Sequence, residues 1–158
     1  MNAKISKISP EDYNFIINEL NNWWGGRKMT DMLPRLFFKY FTNTSFIVKD
    51  QNQILGFIIG FISQDNPKLG YVHFIGVNPE FRKLNLGKKL YAHFFKEAKC
   101  LKLKEIECVT SIKNKLSINF HKSLGFSIQK GNKEIDGISY FENYDGINEH
   151  RVLFKYEL

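Results

Sequence analysis

Residues 71–91 read YVHFIGVNPEFRKLNLGKKLY, and the architecture turns on them. The apolar run 71–77 has the length and β-branched content of a buried strand. Pro79 follows, then a short basic loop, then a helix from about Leu86. Leu86, Leu90, Phe94, Ala98 and Leu101 recur at helical spacing and predict one buried stripe. A strand that hands over abruptly to a helix leaves the first helical N–H groups without partners. Those donors and the positive end of the helix dipole together make an anion site. Gly87 lets a ligand approach the backbone, and Arg82, Lys83, Lys88 and Lys89 add charge. The chemistry is that of a pyrophosphate cradle. It is neither a Walker loop, since no Gly-Lys-Ser or Gly-Lys-Thr occurs, nor a three-glycine dinucleotide fingerprint.

The charge balance sharpens this. The 158-residue chain carries a net charge of +7. Between Arg82 and Lys104 stand eight Lys or Arg and one acid, Glu97, so that segment alone accounts for the excess. A local basic surface attracts polyanions, whether nucleic acid, anionic lipid or a phosphorylated small molecule. The plainer account of Lys96–Lys104 is a solvated helix face. Hydrophobic residues at 43% and charged residues at 25% fit a globular chain of one domain, residues 1–158. Cys100 and Cys108 suggest neither a metal pair nor a disulfide framework, and no metal is expected. The opening residues lack the apolar core of a signal peptide. The longest apolar run, ILGFIIGFI, is too short to span a bilayer. A reduced, cytoplasmic setting without a membrane partner is the expectation.

Working outward, KISKIS alternates like a strand, and Ser9, Pro10 and Glu11 resemble a helix start with a hydroxyl cap. That helix is expected to run to about Asn22, and DMLPRLFFKYF to form a second one. SFIVKD, ILGFIIGFI, EIECVT and RVLFKYEL read as strands, and NKLSINFHKSL as a short helix ended by Gly125. The order predicts an α/β (α+β) fold: a mixed, mostly antiparallel central sheet of about seven strands with helices on both faces.

VNPEFRKLNLGKKL resembles the acyl-CoA-binding motif V-x-P-x-x-R-x-x-G-x-G-x-x-L of the GNAT superfamily of N-acetyltransferases. NKLSINFHKSLGF is similar to that family's next motif, N-x-x-A-x-x-F-Y-x-x-x-G-F, and the element order agrees along nearly the whole chain. WWGGR, LFFKYF and YVHFIGV look like an uncharacterised bacterial branch. The resemblance implies acetyl-CoA as acyl donor and a splay between the fourth and fifth strands. The splay would free backbone groups of Ile75 and Val77 for the pantetheine arm. Arg82, Lys83, Leu84, Asn85, Leu86 and Gly87 would wrap the pyrophosphate, with Lys88 at the helix start. Asn114 and Ser117 would line the thioester side, with Phe120 packed nearby.

Two positions depart from the family pattern. Asn85 replaces the first motif glycine, and Asn tolerates positive φ. His121 replaces the tyrosine that protonates the departing thiolate in many members, and imidazole can donate a proton near neutral pH. A surface histidine beside Lys122 is the plainer alternative. In the family the amine attacks the thioester directly, with both substrates bound and a backbone N–H near Val77 expected to stabilise the oxyanion. His73, on the thioester-bearing strand, would relay the amine's proton through water; a hydrogen-bonded histidine in a central strand is the alternative.

The resemblance places the acceptor pocket beside the first two helices and the last interstrand loop. Trp23 and Trp24 would lie on one side. Across from them Glu134, Asp136, Glu142, Asp145 and Glu149 mix with Tyr140, Phe141 and Tyr144, a combination that suits a cation. A small cationic amine is one acceptor that fits, while amino acid, antibiotic amine and protein amino group stay open. Arg27 is the competing feature, able to bind an acceptor carboxylate or to pair with Asp31. The rival function is a non-catalytic module holding CoA or nucleic acid. Nucleic acid is the disfavoured partner, and a homodimer is left open.

Overall fold

The computed structural model describes residues 3–158. Seven strands form one sheet in the order β1-β2-β3-β4-β5-β9-β6, with a separate β7–β8 hairpin. The strands are β1 (Lys4–Lys7), β2 (Phe46–Asp50), β3 (Gln53–Ile62), β4 (Leu69–Val77), β5 (Glu105–Ser111), β6 (Ser127–Ile128), β7 (Lys133–Ile135), β8 (Ile138–Tyr140) and β9 (Arg151–Glu157). The helices are α1 (Asp12–Trp23), α2 (Leu36–Tyr40), α3 (Leu86–Cys100) and α4 (Lys115–Ser123). The β1–β2, β2–β3, β5–β9 and β6–β9 ladders are antiparallel, whereas β4–β5 is parallel over Leu69–Tyr71. The mixed seven-stranded sheet expected from the element order is therefore present.

The chain divides into two compact units, Met1–Ile62 with Val72–Lys102, and Ser63–Tyr71 with Leu103–Leu158. In the first, α1 buries Ile16, Leu20 and Trp23, a four- and three-residue spacing that makes one stripe. This stripe packs with Ile47, Phe57, Ile59 and Phe74 from the strands. Neighbouring strand residues point to opposite faces, so Phe46 faces away from Ile47, and its ring meets His93 of α3 edge-on at 4.5 Å. Both faces of this part of the sheet thus carry helices. Fully burying each such Leu or Phe contributes roughly 1.5–3 kcal/mol.

Three local expectations need correction. Ser9 does not cap α1 with its hydroxyl. The buried Asp12 carboxylate instead accepts from the Ser9 N–H and hydroxyl, both at 3.0 Å, and pairs with Lys49. The second helix is split: a 3-10 turn covers Thr30–Met32, and α2 begins only after Pro34, because proline disfavours helical backbone at the residue before it. Leu101 leaves the α3 stripe, lying just past the last helical residue and 45% exposed.

In the second unit, β5 and β9 pair along Glu105–Ser111. There α4 packs on β9 through His121, whose ring stacks on Phe154 at 4.9 Å and 23°.

Candidate acetyl-CoA and acceptor site

In the first unit β4 ends at Val77, and Pro79–Leu84 forms a 3-10 turn rather than an open loop. Asn78 caps that turn, its side-chain oxygen accepting from the Glu80 N–H at 3.1 Å. Asn85 then takes a left-handed conformation, φ 57 and ψ 26, immediately before α3. Asparagine at the position of the motif glycine therefore adopts the backbone that the turn demands. Leu86 is buried and anchors the helix, Gly87 is half-buried, and Lys83, Leu84 and Lys88 are exposed. The first turn of α3 holds no acid. Among the described residues no carboxylate pairs with Lys83, Lys88 or Lys89. A 15-residue helix with unspent lysines at its start suits a diphosphate.

Arg82 is committed differently. Its guanidinium donates to the Trp23 carbonyl at 2.6 Å and to the Val77 carbonyl at 3.4 Å. It braces the turn against the end of α1, and the Val77 carbonyl is thereby already an acceptor. Ile75 and Val77 are both half-buried on β4.

His73 lies four residues before Val77 on the same strand. Its Nε2 is 2.6 Å from the Met32 carbonyl, and its ring stacks on Phe37 at 4.2 Å and 14°. A carbonyl only accepts, so Nε2 carries the hydrogen and Nδ1 the lone pair of the neutral ring. Burial pushes the His73 pKa below its usual value, against a smaller opposing effect of the Met32 hydrogen bond. Trp23 is in the core, 4% exposed, whereas Trp24 is half-buried and lies 5.1 Å from the Phe74 ring. A Cβ on Gly76 would fall 2.7 Å from the Phe57 ring and 3.1 Å from Trp24. Glycine there lets both aromatics close on β4. Arg27 is exposed, and Asp31 pairs with Lys28 at 2.9 Å instead of with Arg27.

In the second unit Asn114 caps α4, its side-chain oxygen accepting from the Ser117 N–H at 3.1 Å. Ser117 and Phe120 are half-buried. His121 is not a surface residue: it is 4% exposed, enclosed by Phe120, Phe126 and Phe154. Its Nδ1 lies 2.8 Å from the Ser117 carbonyl and 3.2 Å from the Ser117 hydroxyl. Burial lowers its pKa, only partly offset by the Ser117 hydrogen bond.

The acidic loop holds a correction. Arg151, with a side chain 12% exposed, binds Asp145 at 2.6 Å and Glu149 at 2.9 Å. Glu142 lies 3.9 Å from Lys133. Of the five acids expected to draw in a cation, three already face a cation of the same segment. Tyr140 is half-buried at the end of the β7–β8 hairpin, its ring 5.7 Å from His150.

Phe37 and the Met32 carbonyl were not anticipated as partners of His73. The apolar excess of LFFKYF carried a signal, since α2 buries only Phe38 and leaves Leu36 exposed and Phe37 half-buried. Nothing in the sequence announced Arg151 as the hub of the loop.

Residues 13–126 match the model of the Acetyltransferase (GNAT) family, and the chain belongs to that family. It is an acetyltransferase with acetyl-CoA as donor. No curated protein matches it in sequence. Solved structures share the fold at low identity. Ard1 from Thermoplasma volcanium has a TM-score of 0.80 at 15% identity, covering 100% of this chain and 99% of its own. The yncA protein of Salmonella typhimurium, solved with its cofactor acetyl-CoA, gives 0.71 at 15%, covering 100% and 95%. Diaminobutyrate acetyltransferase EctA from Paenibacillus lautus, in complex with L-2,4-diaminobutyric acid and coenzyme A, gives 0.70 at 17%, covering 97% and 94%. Among the described residues no helix is long and apolar enough to cross a membrane.

Proposed function

We propose that the protein acetylates an amine by direct attack on acetyl-CoA within a ternary complex. The observation that carries this is His73, a neutral imidazole fixed by a backbone carbonyl on the strand that runs into the cationic start of α3. Lys83, Lys88 and the N–H groups opened by Asn85 and Gly87 would hold the diphosphate of acetyl-CoA. Ile75 and Val77, on the strand that leads into α3, are the proposed contacts for the pantetheine arm. Acetyl-CoA supplies an activated acyl carbon, and the chain's residues supply position and proton management. An alkylamine is mostly protonated at neutral pH, so it must lose a proton before its lone pair can attack. His73 Nδ1 takes that proton, directly or through one water. A carbon–nitrogen bond forms, the carbon–sulfur bond breaks, and CoA leaves with the electron pair.

His121 has a different part in this reading. Its Nδ1–H is held by the Ser117 carbonyl, and burial disfavours the imidazolium that would be the effective acid. We assign it to fixing the first turns of α4, with water protonating the thiolate. The test is thiol release from acetyl-CoA over a panel of amines, with product mass checked. Amine-dependent thiol release together with an N-acetyl product is expected. Tight CoA or DNA binding without transfer to any amine would favour the non-catalytic module instead.

A further inference from the structure

We infer that Phe37 is a positioning residue for the transfer: lying flat on the His73 imidazole, it fixes the ring plane and so aims Nδ1 at the amine. This rests on the amine-transfer reading above, in which His73 is the base, and adds the side chain that orients that base. The last torsion of a histidine is broad and roughly two-fold, so rotamer preference alone does not hold the ring. Contacts must hold it, and His73 has two of different kinds. Its Nε2–H donates to the Met32 carbonyl at 2.6 Å, which restrains one ring atom. Phe37 lies against its face at 4.2 Å and 14°, which restrains the plane. Ordinary aromatic pairs stand roughly 4.5–7 Å apart, so this contact is a close one. A contact on the face leaves the lone pair of Nδ1, which lies in the ring plane, uncovered.

Phe37 is itself held. Leu33 and Phe38 are fully buried and anchor the segment on either side of Pro34. Phe38 meets the Tyr13 ring edge-on at 5.2 Å. Phe41 lies 5.3 Å from Phe37, and Phe61 of β3 lies 5.4 Å from Phe41, so half-buried rings buttress the stack. Both restraints on His73 thus come from one short segment that follows α1. The charges of that segment are engaged elsewhere: Asp31 pairs with Lys28, Arg35 lies over Tyr13 at 4.2 Å, and Lys39 lies over Tyr40 at 5.2 Å. Burial lowers the His73 pKa and the Met32 hydrogen bond raises it less, without a contribution from a charged neighbour. Uncovering the ring therefore moves that pKa upward.

Kinetics and titration test this together. Rates are measured against pH with acetyl-CoA and whichever of 2-phenylethylamine, L-leucine and spermidine is turned over fastest. Phe37→Ala is expected to lower kcat about tenfold, less than the roughly 10²-fold that a misplaced reacting group costs, with the KM of the amine little changed. The acid limb of its kcat profile should move to higher pH, because His73 acts unprotonated and the uncovered ring holds its proton longer. Phe37→Tyr, which keeps the ring, is expected to restore both. Phe38→Leu loosens the same helix from within the core, and is expected to lower the thermal midpoint while sparing kcat and the acid limb. In a His73→Gln background Phe37→Ala is expected to cost nothing further, since it acts only through the imidazole. Proton NMR titration of His73 reads the pKa rise in Phe37→Ala without turnover. Three results would each overturn the inference and leave amine transfer intact: equal kcat losses in Phe37→Ala and Phe38→Leu, additive losses from Phe37→Ala and His73→Gln, or a His73 pKa unmoved by Phe37→Ala. A wild type that acetylates none of these amines, nor any of a wider panel, removes the amine-transfer reading itself and the part of Phe37 in it.

Discussion

The start of α3 and the loop between β8 and β9 look like mirror images in the sequence, one basic and one acidic, yet the fold treats them in opposite ways. At α3 the lysines stand beside a helix terminus without an acid in its first turn, so their charge remains available. In the loop, Arg151 gathers Asp145 and Glu149, and Lys133 approaches Glu142. A run of like charges therefore announces the sign of a surface but not whether that charge is spent. Availability is set by pairing, and pairing depends on backbone turns. Here Asn143 and Asn148 adopt positive φ and bring the acids back onto Arg151. A ligand is to be sought where the charge is unspent.

The comparison extends to two histidines, the half-buried His73 and the buried His121, and the largest expected effect lies there. His73→Gln keeps a donor for the Met32 carbonyl but removes the base, and should lower kcat by roughly 10²-fold. His121→Phe, which preserves the aromatic stack on Phe154, should leave kcat within a small factor. Steady-state kinetics on both variants checks this. Equal losses would put His121 back among the proton-handling groups.

Next in size is the loop. Arg151→Met leaves two carboxylates facing each other without their cation and should destabilise the protein by about 1–2 kcal/mol, between the values for exposed and buried pairs. Thermal unfolding measures it. No loss of stability would mean that the loop acids do not depend on Arg151.

The smallest effect is on stability against pH. Both His73 and His121 have folded pKa values below the ordinary 6.5, desolvation being the larger cause in each. The unfolded chain then binds more protons than the folded one as the pH drops. Their contribution is fully present above about pH 6.5 and is lost as pH falls through the lowered folded values. Denaturant midpoints should decline over that window in the wild type and less so in His121→Phe.

How much of this was legible follows from the range of each interaction. The β4–α3 unit was readable because its signals are local: alternation in the strand, a four-residue stripe in the helix, and a residue tolerant of positive φ between them. The split of the second helix was also local, and Pro34 carried it. The burial of His121 had a weak signal in its three-residue spacing from Ile118, the other buried residue of α4. The spent acids had none, because Arg151 meets them through a loop whose closure no pattern encodes. Arg82 reaching the Trp23 carbonyl, 59 residues away, is likewise a product of tertiary folding.

The most direct test of the central claim is the calorimetric affinity of CoA for Gly87→Glu beside Lys96→Glu. A glutamate in the first turn suits the helix dipole, so Gly87→Glu should remain folded, which circular dichroism verifies. Yet it sets a negative charge where the diphosphate is to lie. The account predicts CoA binding at least tenfold weaker in Gly87→Glu and hardly altered in Lys96→Glu, which lies further along the same helix. Unchanged affinity in a folded Gly87→Glu, or equal weakening in both, would contradict a cradle at the start of α3.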